Sequence, residues 1–245
     1  MGGRLFNRGG SRSITFVLFV ALGLIVGAAQ VANAGIAGHV VISEIYPNAE
    51  NETGSEWIEL YNPTDSNIGI SGWTIGTPTS PSDATIPEGS TIKARSFFLI
   101  ADTDFSTKKD NSSWPNADHE ETISFGNTNS WAYLNNSADT TIDTVGWGSE
   151  AEKYEGSPFT PNPSSGKSLQ RKDNATQIGT HGPAWDTDDN SADFFIQDSP
   201  NPQNSGAEPV PPLPELPSIV LFAFGLLVVA MYMYRREAKR REGNE

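Results

Sequence analysis

The stretch that decides the fold is Glu56-Trp57-Ile58-Glu59-Leu60-Tyr61-Asn62-Pro63. Apolar Trp57, Leu60 and Tyr61 interleave there with Glu56, Ile58 and Glu59, in the manner of a β-strand with one face turned inward. Asn62-Pro63 ends it, because proline fixes φ and has no N–H to give a ladder. Outward from this block, short apolar runs recur at 39–46, 72–75, 91–93, 97–101, 121–125, 131–135, 141–147 and 193–197. Clusters of Gly, Pro, Asn, Asp and Ser separate them, and no 3.6-residue period is sustained. Short strands with marked turns, such as Pro87-Glu88-Gly89, argue for an all-β sandwich over residues 35–205. The polar stretches 102–120 and 148–166 are long enough to be functional loops.

The same blocks, taken in order, resemble the lamin-tail domain, an immunoglobulin-like β-sandwich. Val40-Val41-Ile42-Ser43-Glu44-Ile45 gives the opening strand with its carboxylate, and Glu56-Trp57-Ile58-Glu59-Leu60 follows. Then come Gly72-Trp73-Thr74-Ile75, the turn Pro87-Glu88-Gly89, and the Asp-x-Val strand Ile142-Asp143-Thr144-Val145. Ser168-Leu169-Gln170-Arg171 and Ser199-Pro200-Asn201-Pro202-Gln203-Asn204 close the series. The resemblance implies the sandwich fold and an interaction module rather than a defined activity.

On this reading Trp57 and Trp73 are large anchors that fill the space between two sheets. Gly72 permits a backbone dihedral that a side chain would block. Glu44, Glu56 and Glu59 sit on the solvent face of their strands or pair with Arg171 across the sandwich edge. The competing reading gathers them into a metal or ligand site.

The two ends speak of export. Arg4, Arg8 and Arg12, an apolar run from residue 14 to about 31, and Ala32-Asn33-Ala34 form a secretory signal over 1–34. A second run, 218–234, holds 17 residues without a charge, the lower limit for a membrane-spanning helix. Arg235, Arg236, Lys239, Arg240 and Arg241 follow in a tail, 235–245, which places the C-terminus inside and the bulk of the chain at the cell surface. Residues 206–217 are rich in proline and read as an extended stalk. Within it, Pro214-Glu215-Leu216-Pro217, then the apolar helix and the Arg-rich end, resemble an archaeal PEF-CTERM sorting signal, with Leu216 where that family more often has Phe. The resemblance implies an archaeosortase as partner, which removes the helix and re-anchors the protein.

Composition sets bounds on function. The chain's 16 Lys+Arg against 30 Asp+Glu give −14, and removing the eight cations and four acids of the two ends leaves −18 on residues 35–214. Such a surface disfavours nucleic acid and suits solubility or divalent cations. With no cysteine, thiol nucleophiles and Cys-ligated metals are excluded. Asn51, Asn111, Asn135 and Asn174 begin N-x-S/T acceptor sequons, candidate glycan sites in an exported chain. His119-Glu120-Glu121 lacks the second histidine of a zinc-protease helix, and neither a nucleophile elbow nor a phosphate loop is present. The candidate cation site is Asp186-Thr187-Asp188-Asp189-Asn190 with Asp193, whose alternating oxygens are the ligand type calcium takes.

The expectation is a non-enzymatic, membrane-anchored surface module, related to envelope or adhesion and binding envelope components. The alternatives are an accessory to a surface nuclease or a metal-dependent hydrolase using Glu44, Glu56, Glu59 and the 186–193 loop, and a structural envelope component stabilised by calcium.

Overall fold

A computed structural model describes residues 35–174, 181–212 and 216–242, without the side chains of 216–219, 221 and 237–242. The signal segment 1–34, with Ala32 and Ala34, and the sorting residues Pro214 and Glu215 lie outside the described residues. Leu216 and Pro217 are described by backbone alone. The chain divides into a body, Gly35–Leu213, and a second unit that holds the C-terminal helix; each is described by itself.

In the body the strands are β1 (Val41–Asn48), β2 (Trp57–Tyr61), β3 (Ile68–Gly69), β4 (Thr74–Gly76), β5 (Ala84–Thr85) and β6 (Thr91–Ile92). They continue as β7 (Phe97–Ala101), β8 (His119–Glu120), β9 (Ser130–Asn135), β10 (Thr141–Trp147), β11 (Lys167–Arg171) and β12 (Phe194–Gln197). Two single-turn helices, α1 (Phe105–Lys108) and α2 (Asn190–Asp193), lie between strands. The larger sheet runs β12-β11-β1-β2-β7-β8, the smaller β10-β9-β4-β5, and β3 pairs with β6. All pairs are antiparallel except β7–β8.

The core lies between the two main sheets. Ile42, Ile45, Ile58, Leu60, Phe98, Ile100 and Leu169 come from the large sheet, and Ile75, Ala132, Leu134, Val145 and Trp147 from the small one. Period-2 alternation in β2 puts Ile58 and Leu60 on this inner face, with Trp57, Glu59 and Tyr61 on the outer face. All five are nevertheless buried. The outer face is covered as well, so the expected solvent-facing side does not exist.

That cover comes in two apolar patches. Trp57 stacks on Tyr46 at 5.6 Å and meets Trp114 edge-on at 5.9 Å, with Phe105 of α1 closing the cluster. Trp57 is therefore an outer-face anchor and does not fill the space between sheets. Trp147 does: it is fully buried there, and its Nε1 donates to the Gly126 carbonyl at 2.9 Å. Trp73 is half-buried and packs against the core. The second patch sets Val41, Tyr61, Phe97 and Ala184 beneath Ala207 and Val210. Val210 N also donates to Arg95 O at 2.8 Å. The proline-rich segment thus begins by lying on the sandwich, where its apolar side chains find cover, and is not a free stalk from residue 206. Gly72 adopts φ +70°, and a Cβ there would meet nothing closer than 3.7 Å, so the dihedral requires the glycine.

The stretch 121–125 forms no strand. Ile123 and Phe125 are buried in alternation, but the Ile123 and Phe125 N–H groups bond the Asp102 and Glu56 carboxylates in place of a neighbouring strand. The ladder position beside β7 is taken by β8, just before this stretch.

The C-terminal helix α3 spans Leu216–Glu242 and runs through the basic cluster. Among the described residues no helix is long and apolar enough to cross a membrane. The uncharged run predicted as a span, 218–234, covers only about 25 Å at helical rise, against a hydrocarbon core of about 30 Å. The fold therefore lends the predicted transmembrane helix no support.

Candidate functional site

Site residues concentrate around β1, which carries a β-bulge between Ile42 and Glu44. Ile42 and Ile45 both face the core, so the extra residue turns Ser43 and Glu44 together onto the outer face. There Glu44 lies opposite Glu59 of β2. Both carboxyls are 1% exposed. Glu44 Oε1 accepts from the Ser168 hydroxyl, and Glu59 Oε1 accepts from the Ser43 hydroxyl at 2.5 Å. The segment 199–205 straps across them. Gln203 N donates to Glu59 Oε2 at 2.6 Å, and the Asn201 amide donates to Glu44. The strap is pinned at its ends: Trp114 Nε1 donates to Pro200 O at 3.0 Å, and Ser205 gives Asp118 both its N–H and its hydroxyl.

No cation sits among these partners. Burial raises Glu44 to about 7, against the pull of the Ser168 and Asn201 hydrogen bonds. Glu59 is raised well above the usual carboxylate range, by burial first and by the charge of Glu44 second. The pair holds a proton near neutrality, because two carboxylates sharing a dry site cannot both ionise cheaply. Glu56 stands apart, on the rim near Phe125, with Oε1 buried and unpaired. Burial lifts it to about 8, helped by Glu52, Asp102 and Asp83.

Arg171 pairs with none of these glutamates. It shares the inner face with Leu169, fully buried, and its guanidinium bonds both oxygens of Asp143 on the opposing sheet at 2.8 and 2.7 Å. Ile42 completes the link, its carbonyl accepting from Arg171 Nε at 2.9 Å and its N–H donating to Asp143 at 2.6 Å. Asp186 at 3.3 Å and Asp193 at 3.9 Å complete the charge cluster, and the Phe194 ring lies 4.5 Å from the guanidinium carbon. Burial lowers the Arg171 pKa, but Asp143, Asp186, Asp193 and Glu155 outweigh it and raise it. Asp143 is raised by burial against the opposing pull of Arg171.

This cluster absorbs much of the predicted calcium loop. Asp189 caps α2 by accepting from Ser191 N at 3.1 Å. Asn190, fully buried, donates to Thr144 O and accepts from Gly146 N. Asp193 accepts from Thr187 N, Thr187 Oγ1 and Asp189 N. Asp186 and Asp188 remain, and together with Glu155 they offer oxygens all within 4.8 Å of one another. That trio could hold a metal ion. Among the described residues none of Glu44, Glu56 or Glu59 joins such a group, so a shared hydrolase centre spanning β1, β2 and the loop does not assemble. Glu155 was missed by the sequence reading; only its position in the 148–166 loop hinted at it. Burial, then Asp143, raises it to about 8.

The sequons differ in access. Asn51 and Asn111 are exposed. The Asn111 side-chain oxygen accepts from Ser113 N and Oγ. Asn135 is buried in β9 at 6% exposure, its amide nitrogen donating to Asp139 at 2.9 Å, so the folded domain has no room for a glycan there. Asn174 closes the described stretch, and its sequon continues outside it.

Two clefts open on the body. One, about 370 Å³, is lined by Phe97, Asp173, Gly182, Pro183, Val210 and Pro211. The other, about 330 Å³, lies beside Phe125 and Trp131.

Residues 34–149 match the family model of the Lamin Tail Domain. This supports an immunoglobulin-like module of a generally non-enzymatic kind. The match stops before β11, Arg171 and the strap, all of which the large sheet and its buried acids need. No curated protein matches the chain.

Proposed function

We propose that this protein displays a non-catalytic binding module at the cell surface, exported by residues 1–34 and held at the membrane through α3. One observation carries the non-catalytic part. The carboxylates most able to do chemistry, Glu44 and Glu59, are sealed beneath the strap and bonded to Ser168, Ser43, Asn201 and Gln203. Catalytic acids must reach a substrate; these reach only the protein.

The membrane part rests on the ends of the chain. Phe222, Leu226, Val228, Met231 and Met233 are all more than half exposed, an apolar surface that needs a cover. The run is short for a span, and Tyr232, Tyr234 and the arginines after them suit an interface that meets it halfway. The Pro214–Pro217 motif supports an archaeosortase-type exchange of this helix for another anchor. An acidic face bearing glycans at Asn51 and Asn111 suits contact with envelope components.

Fractionation with external protease on intact cells tests the reading. The body is expected in the membrane fraction and open to protease, and removal of residues 213–245 is expected to release it. A body found protected inside the cell overturns the location. Turnover of phosphoester or glycan substrates by the purified full chain overturns the non-catalytic reading.

A further inference from the structure

The smaller cleft has no part in the buried acid sites, and its lining is unlike the rest of the surface. It opens where the loop after β4, the loop before β9 and the 148–156 loop meet. Trp131 is the first outward residue of β9, since Ala132 and Leu134 next to it face the core. Its indole is half-buried, and its Nε1 is shut off from water with no acceptor in the protein. Phe125 forms a second apolar wall. Around these rings stand hydrogen-bonding groups that the fold leaves unused. Among the described residues the Ser124 hydroxyl, the Thr128 hydroxyl and the Glu152 carboxylate have no partner. Others are held rigid: Asn129 bonds Glu150 through both ends of its amide, and Ser130 Oγ accepts from Gly126 N.

From this arrangement we infer that the cleft binds a neutral saccharide, with Trp131 as the stacking platform. A sugar ring offers an apolar face of C–H groups and a rim of hydroxyls, each both donor and acceptor. The cleft offers the complement: the half-buried Trp131 indole, backed by the Phe125 edge, for the C–H groups, with hydroxyls and an acid for the rim. Its volume lies at the small end of the range of about 300–1,000 Å³ for ligand sites, which suits one or two sugar units. Charge selects a neutral ligand. Glu52, Asp83, Glu150 and Glu152 lie on or next to the lining, and the chain carries −14 overall, so acidic sugars and phosphates are repelled. A compact cation would satisfy the acids and the indole face but leave the Ser124 and Thr128 hydroxyl protons without acceptors, so the saccharide fits more of the site.

The inference rests on the reading of the body as a binding module. The test uses the full chain in a polyoxyethylene detergent, which carries no sugar to compete. Cellobiose, lactose, mannobiose and diacetylchitobiose are titrated by calorimetry and saturation-transfer NMR, with a chondroitin disaccharide and choline as acidic and cationic contrasts. At least one neutral disaccharide is expected to bind saturably at millimolar concentration or below. Trp131→Ala is expected to weaken it by about tenfold or more, Trp131→Phe by less, and Ser124→Ala by a few-fold. If Trp131→Ala fails to fold, Trp131→Phe and Ser124→Ala, with melting temperatures matching the parent, decide the matter. No saturable binding of any neutral sugar, binding untouched by these variants, or tighter binding of choline or the acidic disaccharide overturns the inference. Hydrolysis of a bound sugar would sink the non-catalytic reading and leave the saccharide site standing, whereas absence of binding would do the reverse.

Discussion

The two faces of β1 border two buried ionic sites, and these solve the same problem in opposite ways. On the inner face Asp143, Asp186 and Asp193 surround a cation, Arg171, which offsets part of their charge and donates through Nε, Nη1 and Nη2. On the outer face Glu44 and Glu59 have serines and strap amides but no cation, and they are neutral in part only because a proton stays. A single extra residue separates the two arrangements. Without the bulge, Glu44 would share the face of Ile42 and stand near Arg171. With it, Glu44 moves to Glu59, and the Ile42 backbone is left to Arg171 and Asp143. Burial alone therefore says little about a carboxylate; its partner decides whether it holds a charge or a proton.

The sharpest break of the comparison is to remove the cation. Arg171→Met leaves Asp143 and Asp193 buried and uncompensated, and is expected to cost about 3–5 kcal/mol in urea unfolding of the full chain in detergent. The double variant Arg171→Met/Asp143→Leu is expected to recover most of that loss, because apolar groups of similar volume replace a buried pair at little net cost. If the double variant is as damaged as the single one, the pair itself, and not the orphaned charge, holds the sheets together.

How far these sites were legible in the sequence follows from the same contrast. β1, β2, β7, β9 and β10 announce themselves by apolar and β-branched runs, and their order is enough to imply the sandwich. β11 does not, since Lys167-Ser168-Leu169-Gln170-Arg171 offers one apolar residue, and its value comes from Ser168 and Arg171 reaching partners 124 and 28 residues away. The run 121–125 errs the other way: it alternates like a strand, but carboxylates occupy the N–H groups of Ile123, Ser124 and Phe125. Arg171, Glu44 and Glu59 were each recognisable as unusual, but their pairing depended on a bulge that no local pattern marks. The acidic loop was visible, while the inward turn of Asn190 was set by contacts with β10 and Glu155, and that of Asp193 by Thr187 and Arg171.

A change of pH should separate the two sites next. An acid whose folded pKa is raised binds more protons when native than when unfolded, so it stabilises fully below its unfolded value and loses that as pH rises. For Glu44 the window runs from 4.5 to about 7, a loss approaching about 3 kcal/mol once passed. Glu56 and Glu155, both lifted to about 8, slope the same way. Glu59→Gln isolates the pair: its amide oxygen still accepts from Gln203 N, while the Ser43 hydroxyl turns to accept from the new NH₂. Stability of this variant is expected to fall less than the parent's between about pH 5 and pH 9 in urea titrations. Identical curves would mean that Glu44 and Glu59 do not share a proton.

The smallest effect expected is that of calcium, and it bears most directly on the Arg171 site. Asp186, Asp188 and Glu155 have the spacing for an ion, but Arg171 lies 3.3 Å from Asp186 and already supplies positive charge to that group. A divalent ion would have to add to a site whose acids are part-neutralised, and to find the remainder of its six to eight oxygens beyond Asp189, Asn190 and Asp193, which are occupied. Millimolar calcium against chelator is therefore expected to shift unfolding by less than about 1 kcal/mol, where saturation at a hundred times Kd would give about 2.7 kcal/mol. Asp188→Asn, which removes the exposed ligand, is expected to leave even that small shift unchanged. A large calcium shift abolished by Asp188→Asn would show that the loop's acids answer to an external cation, and the contrast between a site closed by its own arginine and one closed by a proton would no longer hold.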